Sequence, residues 1–231
     1  MWFDNLPEGG SWARLWSGYI LCGDCQGIRK TTESCPACGA PPPVATRHLV
    51  RMADGTERTV LGEVYAGAEA RYEDWVYLRM LEREWKRPIT DTDRLLDVSE
   101  SVRPPARAAL VLIFWSYFET RIDRLFRDGM RDIRDAIQKD LLRRYPTVGA
   151  RLDRLYKIVF GSTYWLDLGD LGFERVAALL QVVQMKRNEF AHGQPAAIGE
   201  KLINDLVATL QDEHEAWIAV FNKRAAKRSG L

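Results

Sequence analysis

The chain has 231 residues, of which 46% are hydrophobic and 28% charged, with a formal net charge of +1. It can bury a sizeable core, either as one large domain or as a main domain with a small appendage. Its longest uninterrupted apolar run, Ala108 to Trp115, falls far below the roughly 18 residues that suggest a membrane span, so no span is expected. The near-neutral balance neither advertises nor excludes nucleic-acid binding. Residues 105–231 are mildly basic, with 20 Lys and Arg against 16 Asp and Glu, while residues 1–104 carry 13 against 16. The start, MWFDNLPEGG, lacks the basic and apolar regions of a secretory signal, which makes a cytoplasmic protein the expectation.

Residues 1–17 form an aromatic lead, with Trp2, Phe3, Trp12 and Trp16, expected to pack onto something larger. Residues 18–45 hold all four cysteines and close on Pro41, Pro42 and Pro43, which cannot continue a regular element. Asp54-Gly55 then stands between two stretches rich in β-branched or apolar residues, which predicts a β-hairpin over 46–66. From Arg71 to Arg87 the spacing of Trp75, Leu78, Leu81 and Trp85 predicts a helix that Pro88 stops.

A polar, turn-rich stretch puts the main boundary near residue 100. Residues 1–70 are thus a lead, cysteine module and hairpin, 71–103 a helix and linker, and 104–231 a helical bundle. The first bundle helix, about 105–127, is apolar nearly all round at its start and should be the most buried. Helices are predicted over 131–145, 147–160, 173–192 and about 198–226, with a loop, GSTYWLDLGDLG, over 161–172. The closing NKRAAKRSGL carries Lys223, Arg224, Lys227 and Arg228, either phosphate contacts or, as the preferred reading, solvated charges on a frayed end. His214, set among acids in QDEHEAW, reads as a solvated helix histidine, and His48 as an ordinary strand residue.

The cysteines fall as Cys22-x2-Cys25, a nine-residue gap, and Cys35-x2-Cys38. Two such knuckles aim four thiolates at one tetrahedral metal. The stretch resembles a rubredoxin-like zinc ribbon, with CPACGAP similar to the second knuckle of such modules. Zinc fits best, with iron the alternative for the same ligands. Four thiolates leave no open coordination position, so the metal should be structural.

The helix over 173–192 ends on Arg187, Asn188 and His192, with Gly193 next. Asn188 and His192, four apart, share a face, while Arg187 is offset by about 100°. Within one chain Arg187 and His192 do not converge easily on one atom, whereas two copies facing each other would allow it. An arginine for a phosphate, a histidine for a proton and an amide to orient either are the parts needed for RNA cleavage without a metal.

RNEFAH is similar to R-N-x-x-x-H, the signature of the HEPN family of nucleotide-binding domains, many of them endoribonucleases. The long helix AALVLIFWSYFETRIDRLF resembles the family's first helix, with Ser116 and Glu119 at its polar positions. The resemblance covers residues 104–228. It implies a symmetric homodimer with a composite cleft, His192 as general acid or base on the ribose 2′-hydroxyl, Arg187 on the phosphorane and Asn188 as orienter. The products would be 2′,3′-cyclic phosphate and 5′-hydroxyl ends, and RNA the substrate. Such enzymes often serve as toxins or antiviral-defence effectors, restrained by an antitoxin or regulatory protein.

Glu119 either faces Arg187 or His192 across the bundle or lies on the surface rim. Two rival readings compete. One is a binding module for RNA or protein that keeps the fold without catalysis. The other is a rubrerythrin-like di-iron bundle using Glu189-x-x-His192, which needs a second such pair that the chain lacks.

Overall fold

The computed structural model describes residues 12–16, 18–42, 46–51, 55–62 and 69–226. Trp2, Phe3, Lys227 and Arg228, for which the sequence carried expectations, lie outside these residues. The protein is mainly α-helical, with a small β-ribbon and a hairpin ahead of the bundle.

Strands β1 (Tyr19–Leu21) and β2 (Ile28–Lys30) pair antiparallel and frame the first cysteine knuckle. The expected hairpin forms from β3 (Thr46–Arg51) and β4 (Glu57–Gly62), with Gly55 at φ +82°, a left-handed conformation suited to glycine. Helix α1 (Glu69–Lys86) packs along α2 (Ala109–Gly129), and Leu78 and Leu81 enter the same core as α2. The linker near residue 100 therefore joins two helices that lie against each other.

Helix α2 is the buried centre, as its apolar run predicts. Leu110, Val111, Phe114, Trp115, Phe118, Ile122, Leu125 and Phe126 are all buried. Around it stand α3 (Asp135–Arg144), α4 (Val148–Ala150), a π-helical turn (Arg151–Leu155), α5 (Tyr156–Phe160), α6 (Tyr164–Asp170), α7 (Glu174–Ala191) and α8 (Glu200–Arg224). Helix α6 replaces the loop expected over 161–172. The hydroxyl of Thr163 caps it by accepting from the Leu166 N–H at 3.1 Å, and Tyr164 and Leu168 turn into the core. Seven residues with a glycine inside are too few to show helical periodicity.

The core also contains charge. Arg121 and Glu213 form an ion pair between α2 and α8, and both side chains are almost wholly buried. Arg124 holds the buried Asp74 of α1 through two bonds of 2.7 and 2.9 Å. Asp167 of α6 is a third such centre, accepting from Tyr156, from Ser162 at 3.3 Å and from both sides of the Arg224 guanidinium at 2.5 Å. Lys223 joins it at 3.0 Å and also reaches Asp170. Lys223 and Arg224 are thus not solvated tail charges, because a buried carboxylate on α6 takes them up.

His214 likewise departs from expectation. It is 1% exposed, because the single-turn helix Trp12–Trp16 lies over that face of α8. Trp16 meets the imidazole edge-on at 4.5 Å and Tyr19 does so at 5.6 Å. Burial, assisted by the nearby Arg121 charge, lowers its pKa from 6.5 to about 3. The folded chain thus holds His214 neutral where the unfolded chain takes up a proton. Stability should fall as pH drops below about 6.5, by up to about 1.4 kcal/mol per pH unit. Urea denaturation of wild type and His214→Leu between pH 7 and pH 4.5 checks this, and the variant should lose that part of the slope.

Candidate metal centre and the exposed motif of helix α7

The four sulfur atoms converge. Cys22 and Cys38 Sγ are 3.7 Å apart, Cys25 and Cys35 Sγ 3.5 Å, and all four lie within 4.8 Å of one another. A tetrahedral site with Zn–S bonds near 2.3 Å has edges of about 3.8 Å, so the donor set fits a metal of that size.

The two knuckles repeat one backbone plan. Gln26 N–H bonds the Cys22 carbonyl at 2.9 Å, and Cys22 N–H bonds the Gly27 carbonyl at 2.7 Å. In the second knuckle Gly39 N–H bonds the Cys35 carbonyl at 2.8 Å, and Cys35 N–H the Ala40 carbonyl at 2.8 Å. The equivalent residues Gln26 and Gly39 both take positive φ, +62° and +75°. Gly27 N–H donates to Cys25 Sγ at 3.3 Å. Burial raises the Cys22 thiol, but the backbone N–H groups of Cys25 and Asp24 together with the Cys38 and Cys35 thiols outweigh it and bring the pKa to about 7. Arg29 ties the second knuckle to β2 through the carbonyls of Ala40, at 3.0 Å, and Pro41, at 2.5 Å.

The other candidate site is the end of α7. His192 is its C-terminal cap, and Gly193, at φ +90°, stops the helix there. Gln194 N–H bonds the Glu189 carbonyl at 3.1 Å and Gly193 N–H the Phe190 carbonyl at 3.2 Å, the two bonds of a Schellman motif. The glycine after the motif thus fixes where the chain leaves the helix and holds the His192 backbone at its last turn. Asn188 and His192 are exposed and Arg187 is half-buried. Arg187 Nη1 donates to Asn188 Oδ1 at 3.1 Å, so two of the three motif side chains are joined directly. Neither Arg187 nor His192 makes an ion pair among the described residues. Glu189 is instead held by Lys186 at 2.8 Å.

Glu119 sits half-buried on α2 and bonds neither Arg187 nor His192 among the described residues. Ser116, one turn before it, donates to the Leu112 carbonyl at 3.2 Å within its own helix. On α7, Val182 and Met185 are 41% and 49% exposed, so large apolar side chains stand uncovered within about one and a half turns before the motif.

The two sites lie far apart. Helix α8 begins just after the motif's connector and has 25 residues, about 37 Å of rise, and the cysteine ribbon docks on its last turns. No helix among the described residues is long and apolar enough to cross a membrane. No family model, no curated protein and no solved structure matches the chain.

Proposed function

We propose that the protein is a metal-independent endoribonuclease of the HEPN type, with Arg187, Asn188 and His192 as its catalytic set and zinc held structurally by Cys22, Cys25, Cys35 and Cys38. One observation carries the reading. Arg187 and His192 stand at the exposed end of α7 with no carboxylate paired to either among the described residues, and Asn188 already orients Arg187. A guanidinium and an imidazole left free of acidic partners suit an anionic ligand that is to be protonated and deprotonated.

In this account the 2′-hydroxyl of the RNA attacks the adjacent phosphorus. His192 takes its proton or returns one to the departing 5′-oxygen, Arg187 holds the charge that builds on the phosphoryl oxygens, and Asn188 keeps Arg187 in place. The 5′-oxygen leaves, a 2′,3′-cyclic phosphate remains, and the next residue keeps a 5′-hydroxyl. Zinc takes no part in these steps. One chain supplies one arginine and one histidine on an open surface, so a second copy is needed to enclose the phosphate. The uncovered Val182 and Met185 beside the motif support a homodimer through this face. An antitoxin or other regulatory protein that covered the same face would silence the enzyme.

The test is an RNA digest with EDTA added in excess and read within minutes, using wild type, Arg187→Ala and His192→Ala. Cleavage should persist in EDTA and disappear in both variants. Met185→Asp should also lower cleavage while leaving every catalytic residue in place, and should shift the protein from dimer to monomer on size-exclusion chromatography with light scattering. Full cleavage by a monomeric Met185→Asp would remove the composite site from the account.

A further inference from the structure

The cysteine ribbon does not hang from the bundle on a free tether. Ile28, the first residue of β2, presents its peptide edge to α8, and Asn222 takes both of its groups. Ile28 N–H donates to Asn222 Oδ1 at 2.6 Å, and Asn222 Nδ2 donates to the Ile28 carbonyl at 2.7 Å. The side-chain amide thereby acts as a strand edge for the ribbon. Gly27, just before, fits against this clasp, where a Cβ would meet Asn222 Oδ1 at 3.0 Å and the Cβ atoms of Ala37 and Ala226 at 3.1 and 3.2 Å. Ala226 also packs on the cysteine cluster itself. Beside the clasp, ribbon and helix line a groove of about 550 Å³, with Tyr19, Lys30 and Glu33 on one side and Glu215, Ile218 and Lys223 on the other. Asn222 thus supplies two hydrogen bonds between the two elements.

Both ends of the clasp lead somewhere. On the ribbon side, Gly27 N–H bonds the sulfur of Cys25 and its carbonyl receives Cys22 N–H, so two metal-ligating residues set the peptide that Asn222 grips. On the helix side, the next residues are Lys223 and Arg224, which hold Asp167 of α6, and Ala225, whose carbonyl accepts from Arg131 after α2. Five consecutive residues, 222–226, thus connect the sulfur site to the far ends of α2, α5 and α6.

We infer that Asn222 is a latch through which metal occupancy of the four-cysteine site orders the C-terminal turns of α8 and the Asp167 clamp behind them. With the metal bound, the knuckle holds the Ile28 peptide where Asn222 can take it. When the metal leaves, four uncoordinated thiols no longer fix residues 22–28, the two bonds open, and the last turns of α8 fray. Linkage makes the effect reciprocal, so Asn222 also helps to retain the metal. Asn222 is a positioning residue that touches no metal, and the inference rests on the metal reading of the cysteines given above.

The experiment uses the full chain loaded with zinc, its content measured by elemental analysis. Amide exchange of residues 215–226 is compared before and after zinc is withdrawn with a chelator, with residues 110–126 of α2 as the internal reference. Withdrawal should speed exchange at 215–226 by about tenfold or more, two bonds' worth of protection, while α2 stays slow. Zinc-loaded Asn222→Ala should exchange there at the stripped rate and release zinc about 10–100-fold faster, as loss of an outer partner of a metal site does. If that variant does not fold, the wild-type comparison decides alone. A protein that takes up no zinc overturns the metal reading and the latch with it. Zinc whose withdrawal leaves residues 215–226 unchanged, or which Asn222→Ala retains as well as wild type, overturns the latch and leaves the metal reading standing.

Discussion

His192→Ala is expected to reduce RNA cleavage by about 10²–10⁴-fold, the usual worth of a positioned proton-transfer group. The side chain is exposed at the cap of α7, and the turn that follows is fixed by backbone bonds from Gly193 and Gln194. Its removal should therefore leave the melting temperature within a degree or two of wild type, since exposed substitutions away from structural features change stability by less than about 0.5 kcal/mol. Arg187→Ala should cost about 10²–10³-fold, the scale seen when a donor to transition-state charge is lost. Arg187→Lys should recover only part of it, because a point charge does not reproduce a planar fork. Initial rates on a labelled RNA, measured beside thermal melts of the same preparations, separate lost chemistry from lost folding.

Glu213→Ala should be the most damaging single change to stability. Glu213 is the partner of Arg121, which has no exposed surface, and the guanidinium also lies 3.9 Å over the Tyr117 ring and 5.4 Å from the Trp217 ring. Deleting the carboxylate strands a charge in the centre of the bundle, which costs about 3–5 kcal/mol, whereas exchanging both partners for apolar residues of similar volume is often neutral or better. Glu213→Ala should accordingly unfold at much lower urea than Arg121→Met/Glu213→Leu. Equal midpoints for the two would mean that the pair contributes only volume.

The central helix and the sulfur site were legible because each depends on local order. The apolar run from Ala108 to Trp115 announces burial by itself, and two C-x-x-C pairs nine residues apart need only strand β2 and a turn between them to meet. The charged core was written less plainly. Arg121 falls on the stripe of Phe114, Phe118 and Leu125, and Glu213 on that of Leu206, Leu210 and Trp217, so an inward cation and an inward anion stood at helical spacing in two apolar faces. Pairing them would have predicted the bridge. His214 gave no such sign, because what covers it is a turn some 200 residues away in sequence. Asn222 was equally silent, since an amide that serves as a strand edge has no pattern within its own helix. Asp167 stood in a stretch read as loop, which left Lys223 and Arg224 without a visible partner.

The motif at the end of α7 is a mixed case. Its place on the last turn follows from Gly193, while the proposed second copy leaves no pattern within one chain's sequence. Of the two readings of Glu119, the one facing Arg187 or His192 depended on a contact across α2 and α7 that helical spacing cannot specify. Among the described residues its half-buried carboxylate makes no bond to Arg187 or His192.

Analysis of the ends left on a defined RNA by wild type and by His192→Ala tests the central claim most directly. Wild type should leave 2′,3′-cyclic phosphate and 5′-hydroxyl ends that the variant does not produce. Fragments with 5′-phosphate ends, or the same cyclic-phosphate yield from His192→Ala, would contradict it.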